Sequence, residues 1–477
     1  MTMAGFQFRA AGGLGVALIA GRAAQATAFF VMARILDEAN MGVVSVLTII
    51  YTALFQLTNF GFERYVVYNQ SEDEESLTAA INAVWSLQLI RILIILVATA
   101  VLSLVLERSE YYDLGFAHLT AIGLAAILMS SISPDLLTHE RSGNFAFIAR
   151  ARSYSTLIGA AATIGVVLVW ATPWAFVVGQ ILTAAVFMAQ SFIYSSRMPQ
   201  ISYSGTDIRK AFKYCKHLLV IAVVSFVSTQ VQNIYVGALF SPAVLGVYFT
   251  WYRLVNLPRE LVTQYATRLL FAKASADSRS GSGLMSSHLR GFAFTVVALL
   301  PFHIFVWFHG DFLITFVAGE RWASFWWGGQ LMAVASILLA LSATIGPYNL
   351  VYLPHISSTL RTCEAVATTL LMFVFGGPFG LSGVLYSVIA VMAVAMLIRV
   401  YLLYTQFVTQ KRWDHARAMM LTLVVTAAPL ALVEVIVRLY LPESTQSVWA
   451  GATYLVVNAA MFVYTVRRGG RLIRGMK

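Results

Sequence analysis

Residues 381–398 read LSGVLYSVIAVMAVAMLI, a stretch of 18 residues without a charged side chain. An α-helix rises about 1.5 Å per residue, so about 20 apolar residues cross the roughly 30 Å hydrocarbon core of a bilayer. Apolar runs of similar length recur along all 477 residues, and only 11% of the residues are charged. A soluble domain carries about a quarter charged residues. The sequence therefore predicts an all-α, polytopic membrane protein.

Hydropathy divides the chain into about 14 membrane helices. The predicted helices cover residues 12–33, 42–61, 79–105, 114–133, 155–172, 174–194, 217–239, 244–270, 291–313, 326–352, 361–378, 380–406, 417–440 and 446–466. The eleventh and twelfth are joined by Gly376-Gly377-Pro378, which is a typical turn sequence.

Basic residues concentrate in alternate loops, notably at 197–216, 411–417 and 467–477. By the positive-inside rule, these loops and both termini face the cytoplasm of a bacterial inner membrane. The formal net charge of +11 then reflects loop orientation and not nucleic-acid binding. Asp207 begins a basic amphipathic stretch that continues to Lys216. We expect this stretch to lie on the inner leaflet, as a linker between two halves.

A weak internal repeat supports that division. When the chain is shifted by 204 residues, Ala33–Leu36 and Gly42 align with Gly237–Phe240 and Gly246. Such repeats are common in transporters. The predicted domains are an N-terminal six-helix lobe (1–205), a C-terminal six-helix lobe (206–410), and two extra helices with a basic cytoplasmic tail (411–477).

Polar side chains form stripes along several predicted helices. They include Gln25 on helix 1, Ser45, Thr48, Gln56, Asn59 and Glu63 on helix 2, Gln232 on helix 7, and Asn256, Glu260 and Gln264 on helix 8. Steps of three and four residues place each stripe on one helical face. Either the stripes line a water-filled cavity, or their side chains bond neighbouring helices together.

Arg22 and Arg253 lie about ten residues inside predicted helices 1 and 8. A guanidinium stays charged and forms bidentate hydrogen bonds with phosphate, so both residues are candidates for binding a diphosphate. Internal ion pairs, Arg22 with Glu63 and Arg253 with Glu260, are the alternative.

Other charged residues suggest simpler roles. Glu434 and Arg438 are spaced to pair along one helix. Arg91 and Arg399 lie near predicted helix ends, from which long side chains reach water. The histidines and the two cysteines lack metal-ligand spacing, so no metal site is expected. The sequence contains no Walker motif.

Five short motifs follow one another along nearly the whole chain. They are Ala33-Arg34-Ile35-Leu36 with Gly42, Asn59-Phe60-Gly61-Phe62, Leu245-Gly246-Val247-Tyr248, Gly319-Glu320-Arg321-Trp322-Ala323 and Phe379-Gly380-Leu381-Ser382-Gly383. In order and spacing they resemble the multidrug/oligosaccharidyl-lipid/polysaccharide exporter superfamily, especially its bacterial polysaccharide flippases.

This resemblance implies a V-shaped, alternating-access transporter with a cationic central cavity for an undecaprenyl-diphosphate sugar. Lipid II flippases of the superfamily carry essential arginines in helices 1 and 8, and Arg22 and Arg253 match two of them. A second helix 1 arginine would fall at Ala28. Its absence favours a sugar-repeat flippase over a lipid II flippase.

We therefore predict a flippase, not an enzyme, that moves an undecaprenyl-diphosphate-linked oligosaccharide repeat across the inner membrane for exopolysaccharide or O-antigen export. Expected partners are this lipid-linked oligosaccharide, membrane lipid, a polysaccharide polymerase and chain-length proteins, but not nucleic acid. No cofactor is expected, and Glu63 and Glu260 are candidates for coupling to a proton or sodium gradient. The alternatives are a cation-coupled drug exporter of the same superfamily and a membrane polysaccharide polymerase or ligase.

Overall fold

The computed structural model describes residues 20–68, 73–106, 115–141, 145–202, 204–280, 284–408 and 412–472. Within these ranges the regular elements are helices, and none is a strand. The predicted all-α membrane fold is thereby confirmed.

The helices are numbered in chain order. They are α1 (20–35), α2 (Glu38–Leu57), α3 (Phe62–Tyr68), α4 (Glu74–Leu106), α5 (Phe116–Ser130), α6 (Thr138–Arg141), α7 (Phe145–Val169), α8 (Trp174–Ile193), α9 (Gly205–Leu239), α10 (Pro242–Ser280), α11 (Leu284–Val317), α12 (Trp326–Tyr352), α13 (Pro354–Leu402), α14 (Arg412–Tyr440) and α15 (Glu443–Leu472). Among the described residues, two 3₁₀ segments, Pro134–Leu137 and Glu320–Phe325, and one π-helical turn, Leu403–Phe407, interrupt the series.

Eight helical spans of the described residues are long and apolar enough to cross a membrane. The predicted count of fourteen remains a prediction. Predicted helix 11 lies in α13, and predicted helix 12 lies in α13 and the π-helical turn that follows it. Helix α13 bends at Gly380, where φ is 60° and ψ is −143°. Only glycine adopts this backbone conformation readily, so Gly380 makes the turn between the two limbs possible.

Helix α9 begins earlier than the sequence suggested. The stretch from Asp207 to Lys216 was expected to be part of a linker, but it belongs to a continuous helix that starts at Gly205. Ile208 and Ala211, on one side of this first part, pack against a cluster of α3 and α4 side chains. Burial of this apolar face keeps the basic stretch helical, and the true linker shortens to residues 194–204.

A buried carboxylate holds this linker in place. Asp135, only 2% exposed, accepts hydrogen bonds from the backbone N–H groups of Ser196 and Arg197 at 2.7 and 3.1 Å. The Arg197 guanidinium bonds to Asp135 and also to Glu74. The hydrogen bond to Glu74 raises the pKa of Arg197 above its ordinary value, so the guanidinium stays charged.

The chain divides into two compact units, Met1–Phe249 and Thr250–Lys477. In the first unit, α2, α4, α5 and α8 share an aliphatic core that includes Leu47, Ile95 and Ile122. In the second unit, α11 packs against α12, α14 and α15. This division differs from the predicted lobes, whose boundaries remain a prediction.

Two glycines form a reciprocal contact inside the first unit. A Cβ atom added to Gly42, at the start of α2, would overlap the carbonyl oxygen of Pro242, at the start of α10. A Cβ atom added to Gly246 would overlap the carbonyl oxygen of Glu38. Residues 38 and 42 become 242 and 246 under the 204-residue shift, so the contact follows the internal repeat. Both positions need glycine because backbone meets backbone there.

Candidate substrate-binding site

Arg22 and Gln25 lie on the described part of α1, and both side chains are exposed. Helix α1 approaches α7 at Gly21, where an added Cβ would lie 3.5 Å from Ser153 Oγ. The substrate-binding role of these two side chains remains a prediction.

The polar stripe on α2 changes character along the helix. Ser45 and Thr48 are buried, and each hydroxyl donates to a backbone carbonyl four residues earlier, at 2.7 and 2.8 Å. These hydroxyls are satisfied within α2, so they need neither a cavity nor a second helix. Gln56, in the last turn of α2, is half-buried, and so is Asn59, which lies beyond the helix because α2 ends at Leu57 and not at the predicted residue 61. Only this second part of the stripe is accessible enough to contact a substrate.

A buried arginine fixes the end of α2. Arg91, near the middle of α4 and 1% exposed, donates from Nη2 to the Phe55 carbonyl oxygen at 2.8 Å and from Nε to Thr58 Oγ1 at 3.1 Å. Carbonyls in the last turn of a helix lack intrahelical partners, and the guanidinium supplies donors for them. The expectation that Arg91 reaches water from a helix end was wrong. Its role is to hold the turn that carries Gln56 and Asn59.

Asn59 is fixed by that turn. Its side-chain oxygen accepts the backbone N–H of Gly61 at 2.9 Å, and Gly61 has a φ of 69°. The side chain of Glu63, predicted as a coupling carboxylate, lies outside the described residues, as does any pairing with Arg22.

Gln232, on α9, is tied to the start of α10. Its side-chain oxygen accepts a hydrogen bond from the Tyr248 hydroxyl at 2.9 Å. Tyr248 is fully buried. The structure therefore holds Gln232 in one orientation beside the α9–α10 hairpin.

In the second unit, α10 carries the remaining predicted residues. Asn256 is 5% exposed and donates from Nδ2 to the Tyr252 carbonyl oxygen at 2.9 Å. Its Oδ1 accepts from Arg259 Nε at 3.0 Å. Sequence reasoning missed Arg259, although its spacing of three from Asn256 could have indicated it. Arg253 and Glu260 are half-buried, and Gln264 is exposed.

Pro258 interrupts the hydrogen-bond ladder between these residues, because proline has no N–H to donate to the Leu254 carbonyl. The predicted residues thus form two sets. Arg22, Gln25, Gln56, Asn59 and Gln232 belong to the first unit, whereas Arg253, Asn256, Glu260 and Gln264 belong to the second. Their joint lining of one cavity remains a prediction.

Two carboxylates in other helices of the second unit have partners within it. Glu434 accepts from Arg438 Nε at 2.6 Å, as its spacing predicted, and lies 3.0 Å from His309 Nε2. Arg399, expected to reach water, pairs with Glu364 at 2.5 Å across the two limbs of α13. The Glu434–His309 contact joins α14 to α11, and the Glu364–Arg399 pair joins the two limbs of α13, so both carboxylates already have structural roles.

Two buried histidines form a second polar network. His288 Nδ1 lies 3.2 Å from His415 Nε2, and the Tyr404 hydroxyl lies 3.1 Å from His415 Nδ1. His288 Nε2 faces Thr344 Oγ1 at 3.5 Å. With both imidazoles neutral, the donors can run in one direction from Tyr404 to Thr344. The network therefore satisfies its buried nitrogens without adding charge.

A family model described as "Polysaccharide biosynthesis protein" matches residues 31–326, more than half of the 477-residue chain. The chain belongs to this family. Curated protein sequences provide no significant match. Family membership agrees with the resemblance carried by the sequence motifs.

Solved transporters share the fold of this chain. The lipid II flippase MurJ, in an inward closed conformation, is 13% identical, and the match covers 96% of this chain and 99% of that one with a TM-score of 0.69. An inward-facing multidrug resistance transporter of the MATE family in the MOP superfamily is 11% identical, with 84% and 94% coverage and a TM-score of 0.61. The MATE multidrug transporter DinF-BH is 13% identical, with 83% and 93% coverage and a TM-score of 0.53. These likenesses show the transporter fold, and together with the family match they agree with the resemblance carried by the sequence motifs.

Proposed function

We propose that the protein is a flippase that moves an undecaprenyl-diphosphate-linked oligosaccharide across a bacterial inner membrane during polysaccharide biosynthesis. One combination carries the proposal: the family is described by polysaccharide biosynthesis, and the fold is shared with a flippase of a lipid-linked sugar. Polysaccharide repeats built on a lipid carrier must cross the membrane before export, and that step needs a transporter instead of a catalytic site.

Arg22 and Arg253 are the proposed diphosphate ligands, each with a neighbouring amide, Gln25 or Asn256. Arg22 and Gln25 are exposed, whereas Arg253 is half-buried and Asn256 is held by Arg259. Charged hydrogen bonds to phosphate are roughly twice as strong as neutral ones, which suits a substrate that carries two phosphates. Glu63 and Glu260 remain the proposed carboxylates for proton or sodium coupling.

Chain coverage favours a flippase over a drug exporter. The MurJ match covers 96% of this chain, whereas the MATE match covers 84%. The proposed partners, a polysaccharide polymerase and chain-length proteins, follow from the same pathway, because a flipped repeat must next be polymerised.

The deciding experiment is deletion of the gene, followed by analysis of polysaccharide and of lipid-linked repeats on each face of the membrane. A flippase deletion stops polymer export and leaves the repeat on the inner face. A polymerase or ligase deletion leaves the repeat on the outer face, which separates the two functions. Normal polymer in a strain without a second flippase would refute the proposal, and loss of cationic-dye efflux as the sole defect of the deletion strain would indicate a drug exporter.

A further inference from the structure

An apolar groove runs between α4 and the first turns of α9, with a volume of about 350 Å³. Its lining includes Phe60, Phe62, Ile90, Ile94, Ile208 and Phe212. Phe60 and Phe62 stack at 5.2 Å, and the buried guanidinium of Arg91 closes the groove from α4. Because these walls are held by packing and hydrogen bonds, the groove exists before any ligand enters.

The open side of the groove is apolar and exposed. Ile90, Ile94 and Phe212 are 53%, 42% and 47% exposed. Helix α4 is one of the spans apolar enough to cross a membrane, so this side faces hydrocarbon. A hydrocarbon chain in the groove contacts protein on both flanks, whereas a chain on the flat surface of α4 contacts it on one.

One end of the groove is basic. Arg209 belongs to the lining and is exposed, and Lys213 is exposed one turn further along α9. Asp207 is paired with Lys210 at 3.5 Å, so residues 205–213 keep two net positive charges. Helix α9 has 35 residues and is about 50 Å long, which exceeds the roughly 30 Å hydrocarbon core. Its first turns therefore reach the depth of lipid phosphates.

We propose that this groove binds an anionic phospholipid, with one acyl chain between α4 and α9 and the phosphate beside Arg209. Charge complementarity selects an anionic headgroup over a zwitterionic one. The volume lies at the small end of ligand pockets, which suits a segment of one acyl chain and not a long polyprenyl chain. Neither Arg22 nor Arg253 lines the groove, so the proposal can be tested independently of the proposed function.

The test is native mass spectrometry of the full-length protein in detergent, titrated with phosphatidylglycerol or phosphatidylcholine. Wild-type protein is expected to bind phosphatidylglycerol in preference, and Arg209→Gln to reduce that preference about fivefold, the effect of one basic side chain at a membrane surface. Arg290→Gln, a change at an exposed arginine of α11, is the charge control and should leave the preference unchanged.

Two further variants test the groove itself. Ile90→Trp should fill it and reduce binding of both lipids, whereas Leu93→Trp, at a lipid-facing position of α4 outside the groove, should not. If Ile90→Trp does not fold, Phe212→Ala removes one wall at an exposed position and should also reduce binding of both lipids. An unchanged preference in Arg209→Gln, or unchanged binding in the groove variants, would overturn the proposal. If equimolar polyprenyl phosphate displaced phosphatidylglycerol, the groove would be a site for a polyprenyl carrier, and the phospholipid proposal would be overturned.

Discussion

Arg91 and Arg438 both place a guanidinium on a membrane helix, but only the partner of Arg438 can be read from the sequence. Glu434 lies four residues away on the same helix, and helical geometry brings the two together. Arg91 bonds to a carbonyl 36 residues earlier in the chain, and His288 meets His415 across 127 residues. Such contacts depend on how helices pack, which the periodicity of a sequence does not encode.

Arg22 and Arg253 should matter through their charge. If each binds a phosphate, replacement by alanine should reduce export by roughly 10- to 150-fold, because a hydrogen bond to a charged group contributes about 1.5–3 kcal/mol. Replacement by lysine keeps the charge but loses the planar donor fork, so partial activity should remain. Polymer export at matched protein levels is the measurement, and Arg417→Ala, an exposed arginine of α14, is the control.

Double variants separate this role from an internal ion pair. If Arg253 only neutralises Glu260, then Arg253→Ala should be rescued by Glu260→Ala, and the same reasoning links Arg22 to Glu63. Rescue in either double variant would contradict phosphate binding by that arginine.

The paired helices α7 and α8 show how small residues bring membrane helices together. A Cβ atom added to Gly159 of α7 would overlap Thr183 and the carbonyl oxygen of Gly179, both on α8. A Cβ atom added to Gly179 would likewise overlap Thr163 and the carbonyl oxygen of Gly159, both on α7. Glycine and threonine four residues apart thus interlock on both helices. Each threonine also donates to the glycine of its own helix, at 3.0 and 2.8 Å.

Gly159→Ala should therefore destabilise the protein. Alanine favours a helix by about 1 kcal/mol over glycine, but overpacking a tight contact costs about 1–3 kcal/mol. Gly165→Ala, on the same helix with nothing within 4 Å of the added Cβ, should be neutral or stabilising. The measurement is thermal unfolding in detergent, and equal shifts in the two variants would show that the glycine contact is unimportant.

Helix positions were largely predictable, because long apolar runs have few alternatives to a membrane helix. Helix α12 occupies residues 326–352, as predicted, and α8 ends within one residue of its predicted end. The start of α9 was not predictable. Its basic residues suggested a surface linker, but the contacts of Ile208 and Ala211 with α3 and α4 decide its structure. Of the candidate site, the sequence could indicate polar stripes, but not that Ser45 and Thr48 would be buried.

At the scale of the whole molecule, the loop charges make a prediction about orientation. The linker at residues 194–204 should be cytoplasmic, and the 3₁₀ segment at Glu320–Phe325 should be periplasmic. With Cys215 and Cys363 replaced by serine, an impermeant thiol reagent should label Glu320→Cys in intact spheroplasts. It should label Gln200→Cys only after permeabilisation. Both substituted side chains are exposed. The opposite labelling pattern would invert the topology.

The contact between Gly42 and Gly246 has a consequence for the origin of the chain. An interface in which residue i meets residue j, and j meets i, is isologous, and a two-fold symmetric dimer of identical subunits makes contacts of that kind. Under the 204-residue shift, Gly42 is equivalent to Gly246, and Glu38 is equivalent to Pro242. Gly42 contacts Pro242, and Gly246 contacts Glu38, so the two contacts are the same contact made in both directions. This is the geometry expected when two copies of a half-length ancestor that paired as a homodimer become joined in one gene. After such a fusion, replacing either glycine would break a backbone contact that the ancestral homodimer already made.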